Sequence, residues 1–119
     1  MSERMELTER AISREDIFQG RILRVHVDTV SLPNGRTSTR EVADHPGGVA
    51  ILALDGDNNV LTVTQYRYVF QKAMLEIPAG KLEYGEDPYE AGLRELKEET
   101  GAVPGVYKSL GRIIPSPGC

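Results

Sequence analysis

Four glutamates stand at fixed offsets around one arginine in residues 80–102, GKLEYGEDPYEAGLRELKEETGA. Glu86 comes first, then Arg94-Glu95, then Glu98-Glu99, and Gly101 closes the run. Residues three and four apart share a helix face, so Glu95, Glu98 and Glu99 are expected to crowd one side within side-chain reach. Like charges at that spacing destabilise a helix unless something offsets the repulsion. Carboxylate oxygens are hard donors, and a magnesium (or manganese) ion held by them usually holds phosphate oxygens too. For an arbitrary charged helix, a solvated face paired to Arg94 and Lys97 is the commoner reading. Gly80, Glu86 and Gly101 at matching offsets weigh against it here.

The helix that must carry these groups is well announced. Asp87 suits the N-cap, Pro88 the first helical position and Glu90 the partner position of a capping box. Leu93 and Leu96 give an apolar edge, Gly101 a left-handed stop, and Pro104 prevents resumption. The expected order is loop (80–86), helix (about 87–100), loop (101–105). Upstream, residues 16–77 read as strands. Leu23, Val25 and Val27 alternate with Arg24, His26 and Asp28, the period of a half-buried strand. Pro33-Asn34-Gly35 is a turn, and residues 37–42 return as a hairpin partner. Residues 49–54, a turn-rich loop at 55–59, and residues 60–66 follow. A last strand is expected over about 107–113. Strands with a single helix make an α+β class.

Written G-x5-E-x7-R-E-U-x-E-E-x-G-U, with U aliphatic, the stretch resembles the Nudix box. Gly80, Glu86, Arg94, Glu95, Leu96, Glu98, Glu99 and Gly101 are all in place, and only Ala102 is smaller than usual at the last aliphatic position. The resemblance extends to residues 20–49, to Gln65-Tyr66-Arg67, to the approach from Leu75 to Gly80, and to Pro115-Ser116-Pro117-Gly118. These flanks look like the ADP-ribose pyrophosphatase branch. The resemblance implies a Nudix-type α/β/α sandwich with a mixed sheet. It also implies an N-terminal β lobe (15–46) that packs or swaps across a homodimer, and a core (47–119) preceded by an arm (1–14). Related chains continue past the Pro-Ser-Pro-Gly segment into a loop with a further glutamate, a strand and a second helix. The expectation is therefore a chain truncated at its C-terminus, with apolar surface exposed where that helix would pack and turnover put in doubt.

Charge, cysteine and length bound the rest. At 119 residues the chain supports one domain. The net charge is −4, but residues 76–99 carry eight acids against three bases, leaving ten acids and eleven bases elsewhere. That distribution argues against a nucleic-acid backbone as partner and fits a cation site. The sole cysteine, Cys119, excludes an internal disulfide and a thiolate cluster, and fits a reducing cytoplasm. Residues 1–14 have no apolar core, so neither a signal peptide nor a membrane span is expected there; a disordered arm or a short helix is.

Glu95 and Glu99, one turn apart, are the first choices as metal ligands and Glu98 the next. The resemblance adds the backbone carbonyl of Ala79. Catalytic roles go to Glu98, Glu99 and Arg94, with Arg94 orienting carboxylates through its i,i+4 spacing to Glu98. Glu86, at the helix entrance, is placed to bind a water or a second ion. Arg67 is a candidate grip for phosphate, against an ordinary strand-end arginine. Arg40 and Glu41 resemble a substrate-binding pair, against a cross-strand ion pair. Phe18 is a candidate to stack an adenine, although core packing is the commoner use. His26 and His45 are too few and too far apart for a metal pair. The activity implied is hydrolysis of a nucleoside diphosphate sugar, ADP-ribose first, to AMP and ribose 5-phosphate. The alternatives are a silent Nudix module binding a nucleotide or partner protein, and a hydrolase of nucleoside triphosphates or dinucleoside polyphosphates.

Overall fold

A computed structural model describes residues 6–118; Cys119 and the first five residues of the expected arm lie outside them. The chain divides into two units, one of the N-terminal strands up to His45 with the segment from Ile113, the other Pro46–Arg112.

The first unit is an antiparallel sheet of β1 (Arg10–Gln19), β2 (Arg24–Ser31) and β3 (Thr37–Asp44), in that spatial order. Residues 10–14, expected in an arm or short helix, are strand, because β2 offers them backbone partners from Ser31 to Asp28. The Pro33-Asn34-Gly35 turn forms as expected. Leu32 and Arg36 close it at 2.8 Å, and Gly35 supplies the φ of +83° that a side chain would resist.

The alternation of β2 is also present, but its buried side is the polar one. His26 and Asp28 are 3% and 8% exposed, joined by Val30, whereas Val25 and Val27 are half-buried. Buried polar groups must find partners, and these do. His26 Nδ1 lies 2.7 Å from an Asp28 oxygen and Nε2 lies 2.8 Å from Asp44, while Arg14 Nε donates to Asp28 at 3.1 Å.

The second unit pairs β4 (Gly48–Ala50) with β7 (Ala79–Lys81) and β5 (Val63–Arg67) with β6 (Lys72–Glu76). A single-turn 3-10 helix, Tyr68–Phe70, and Gln71 at φ +53° close the second hairpin. Helix α1 (Pro88–Thr100) follows, capped by Asp87 accepting from the Tyr89 N–H and stopped by Gly101 at φ +76°. Ala91, Gly92 and Leu96 are its buried face, and Ile51 and Pro78 are buried in the same unit. Leu96 is only 2% exposed, a burial that stabilises by about 1.5–3 kcal/mol. Gly92 has no room for a side chain, since a Cβ there would strike the Tyr107 hydroxyl. That hydroxyl donates to the Tyr89 carbonyl at 2.9 Å, and the two rings meet edge to face at 4.4 Å.

The class is α+β, as expected. Every strand pairing among the described residues is antiparallel, where the resemblance led us to expect a mixed sheet. Residues 101–118 contain no strand, although one was expected over 107–113. Apolar residues at Tyr107, Leu110 and Ile113 do not by themselves make a strand; the backbone groups need a neighbour to bond.

Candidate functional site

Two of the three helix carboxylates reach the same strand and the third turns away. Glu95 and Glu99 lie on the flank of α1 beside its buried face, against the backbone of β7. Glu99 Oε2 accepts the Ala79 N–H at 3.2 Å, and its Oε1 accepts from Gln65 Nε2 at 3.2 Å. Glu95 occupies the space a Gly80 side chain would need: a Cβ at residue 80 would collide with its carboxylate end. Gly80 thus works by close approach, letting a helix carboxylate reach a strand. Glu98 departs from the expected crowd of three. Its side chain is 60% exposed and its nearest charged partner is Arg94 Nε at 3.8 Å, because it stands one residue, about 100°, round the helix from Glu99.

Arg94 is the hub of the outer side. It makes two bonds to Glu86, a 3.1 Å bond to Glu95 and the longer contact to Glu98. Glu86 also accepts the Glu83 N–H at 3.1 Å. That backbone bond first, and then Arg94, holds the Glu86 carboxyl below its ordinary pKa, while Glu86 and Glu95 push the guanidinium's pKa up. So Glu86, expected to bind a water or an ion, is engaged by Arg94 across the helix entrance. Arg94 bonds carboxylates, chiefly Glu86 and Glu95 rather than the expected Glu98.

Arg67, the expected phosphate grip, lies against Glu76 through Nε and Nη2, an ion pair between β5 and β6. Those bonds raise the Arg67 pKa and lower that of Glu76. In the N-terminal unit, Arg40 makes a bidentate pair with Glu9, both bonds 2.9 Å, and Glu41 is exposed on the opposite face of β3. Phe18 is 59% exposed, its ring lying over Gly20, so it is not core. Sequence reasoning gave no role of its own to Gln65 and none to Glu76 as a partner of Arg67; a hydrogen bond spanning 34 residues leaves no local pattern.

No three acidic or imidazole side chains among the described residues stand close enough to enclose an ion. The arrangement is smaller: two carboxylates one helical turn apart, both reaching the Ala79-Gly80 backbone. All the donors are hard oxygens, and the cradle exists because residue 80 lacks a Cβ. Hard oxygens of this kind suit a divalent cation.

The matched family models divide the chain between them. The nucleoside diphosphate sugar hydrolase N-terminal domain matches residues 9–43, and the NUDIX domain matches residues 44–118. The chain belongs to the Nudix family. Among curated relatives, this Nudix chain is 54% identical to a methanol dehydrogenase activator of Bacillus methanolicus, over 92% of its own length and 60% of that protein. It is 43% identical to an ADP-ribose pyrophosphatase of Bacillus subtilis (94% and 60% covered) and 39% identical to one of Mycobacterium tuberculosis (90% and 52%). The chain therefore spans between half and two thirds of the length of these relatives. A solved structure described as an ADP compounds hydrolase superposes with a TM-score of 0.69 at 25% identity, over 84% of this chain and 54% of that one. No helix among the described residues is long and apolar enough to cross a membrane.

Proposed function

We propose that this Nudix domain hydrolyses the diphosphate of a nucleoside diphosphate sugar, with ADP-ribose and water giving AMP and ribose 5-phosphate. The convergence of Glu95 and Glu99 on the Ala79-Gly80 backbone carries the reading. The match to a nucleoside diphosphate sugar hydrolase N-terminal domain, and relatives named ADP-ribose pyrophosphatase, support this substrate class.

Nudix hydrolases generally use divalent metal ions, and magnesium or manganese is the ion proposed for this site. Glu95, Glu99 and the Ala79 carbonyl would hold it, with Glu98 as a further ligand candidate. When bound, such an ion neutralises charge on the diphosphate and makes water a better nucleophile. Arg94 holds Glu95 and Glu86 in place from the outer side. Gln65 and the Ala79 N–H do the same for Glu99 from the strands. Arg67, on the same face of β5 as Gln65, reaches a phosphate by exchanging Glu76 for it; a planar guanidinium suits either partner.

The test is AMP release from ADP-ribose with magnesium, by the chain and by Glu99→Gln. The expected result is turnover that falls about 10²-fold or more in the variant. Turnover indifferent to Glu99 would remove it from the site. A second reading, a module that binds a nucleotide or a partner protein without turnover, draws on the 54% identity to a protein named as an activator of methanol dehydrogenase. Calorimetric binding of ADP-ribose with no AMP release would select it.

A further inference from the structure

The geometry points to Gln65 as a positioning residue that fixes the orientation of Glu99 towards a divalent cation; this rests on the reading of Glu99 as a cation ligand. A glutamate has three side-chain torsions, and the last is broad, so a single hydrogen bond leaves its carboxylate plane free to swing. Glu99 has two, one on each oxygen, and they come from different strands. Oε2 takes the Ala79 N–H of β7 and Oε1 takes Nε2 of Gln65 on β5, each at 3.2 Å. Because a carboxylate only accepts, the amide nitrogen of Gln65 must be the atom that faces it. Two donors use about half of the roughly four lone-pair sites of a carboxylate, which leaves sites on both oxygens for a cation.

The chemical type of the residue matters as much as its reach. Gln65 lies two positions before Arg67 on the same face of β5; Arg67 hydrogen-bonds Glu76 and acts on Glu99 only through space, so the group that hydrogen-bonds Glu99 from β5 is the neutral one. A lysine or arginine there would orient the carboxylate and also neutralise it, competing with the cation. An amide orients without competing. This is the relation by which groups outside the ligand set tune a metal site, and their loss typically weakens binding 10- to 100-fold.

The test compares wild type with Gln65→Met, which keeps length and volume but deletes the donor, and with Gln65→Asn, which keeps an amide one methylene short of Glu99. Manganese affinity is read from the paramagnetic resonance of unbound Mn2+, and stability from urea unfolding without metal. Glu99→Gln is the control. Both Gln65 variants are expected to raise the Mn2+ Kd about tenfold while the metal-free urea midpoint holds. Unchanged affinity in both, with Glu99→Gln weakened, would overturn the role of Gln65 and leave the cation site standing. Unchanged affinity in all three would overturn the cation site and the role of Gln65 with it. If Gln65→Met loses stability and affinity together and Gln65→Asn restores both, Gln65 is only a polar packing group and the inference fails.

Discussion

Replacing Gly80 by alanine separates stability from cation binding in a way the structure makes quantitative. The three atoms the added methyl would meet first all belong to the Glu95 side chain, none to the backbone. Gly80 does not sit at positive φ, so alanine meets no backbone strain. Moving the carboxylate aside costs about 0.5–1.5 kcal/mol in rotamer energy. Replacing glycine at a compatible position returns about 0.4–1 kcal/mol by restricting the unfolded chain. The two nearly cancel, so the urea midpoint of Gly80→Ala is expected within about 1 kcal/mol of wild type. Binding does not cancel: Glu95 leaves its place, and Mn2+ affinity is expected to fall about 10- to 100-fold, equivalent to roughly 1.4–2.8 kcal/mol. Urea unfolding without metal and Mn2+ titration on the same samples give both numbers. Wild-type affinity in Gly80→Ala would mean that Glu95 does not depend on the space at residue 80. A loss of more than about 3 kcal/mol, on the scale of an overpacked core, would mean that the methyl meets something rigid.

Two further predictions concern the scaffold. Hydrogen bonds to Asp28 first, and then to Asp44, hold the pKa of His26 above its usual 6.5, against the effects of burial and of Arg14. A raised folded pKa stabilises when the group is protonated, so its contribution is full below pH 6.5 and is lost as pH climbs through the folded value. NMR of the His26 ring should show titration above 6.5, and His26→Gln should flatten stability over that window; a ring titrating at or below 6.5 would contradict this. Leu96→Ala should cost about 2–5 kcal/mol, because a fully buried leucine leaves a cavity. A loss under about 1 kcal/mol in urea unfolding would show that the helix does not depend on this packing.

How much was legible follows from the range of each interaction. Asp87, Pro88 and Gly101 placed the helix to within a residue, because caps and stops are local chemistry. The Pro33-Asn34-Gly35 turn and the strand after it were readable for the same reason. The box itself named Glu95 and Glu99, since helical spacing alone puts them one turn apart. Periodicity also found β2 but not which side of it is buried: alternation fixes that two faces differ, and only the partners of His26 make the polar face the inner one.

Sequence by itself therefore determined the family, the helix and which carboxylates are proposed as cation ligands, all carried by patterns shorter than about seven turns of helix. Tertiary structure decided which carboxylates reach the strand. It turned Glu98 to solvent, gave Glu86 to Arg94, set Glu95 over Gly80 and brought Gln65 to Glu99 from 34 residues away. The physical reason is that a helix fixes only the angles between its own side chains. What each of them faces is set by the strand packed against it.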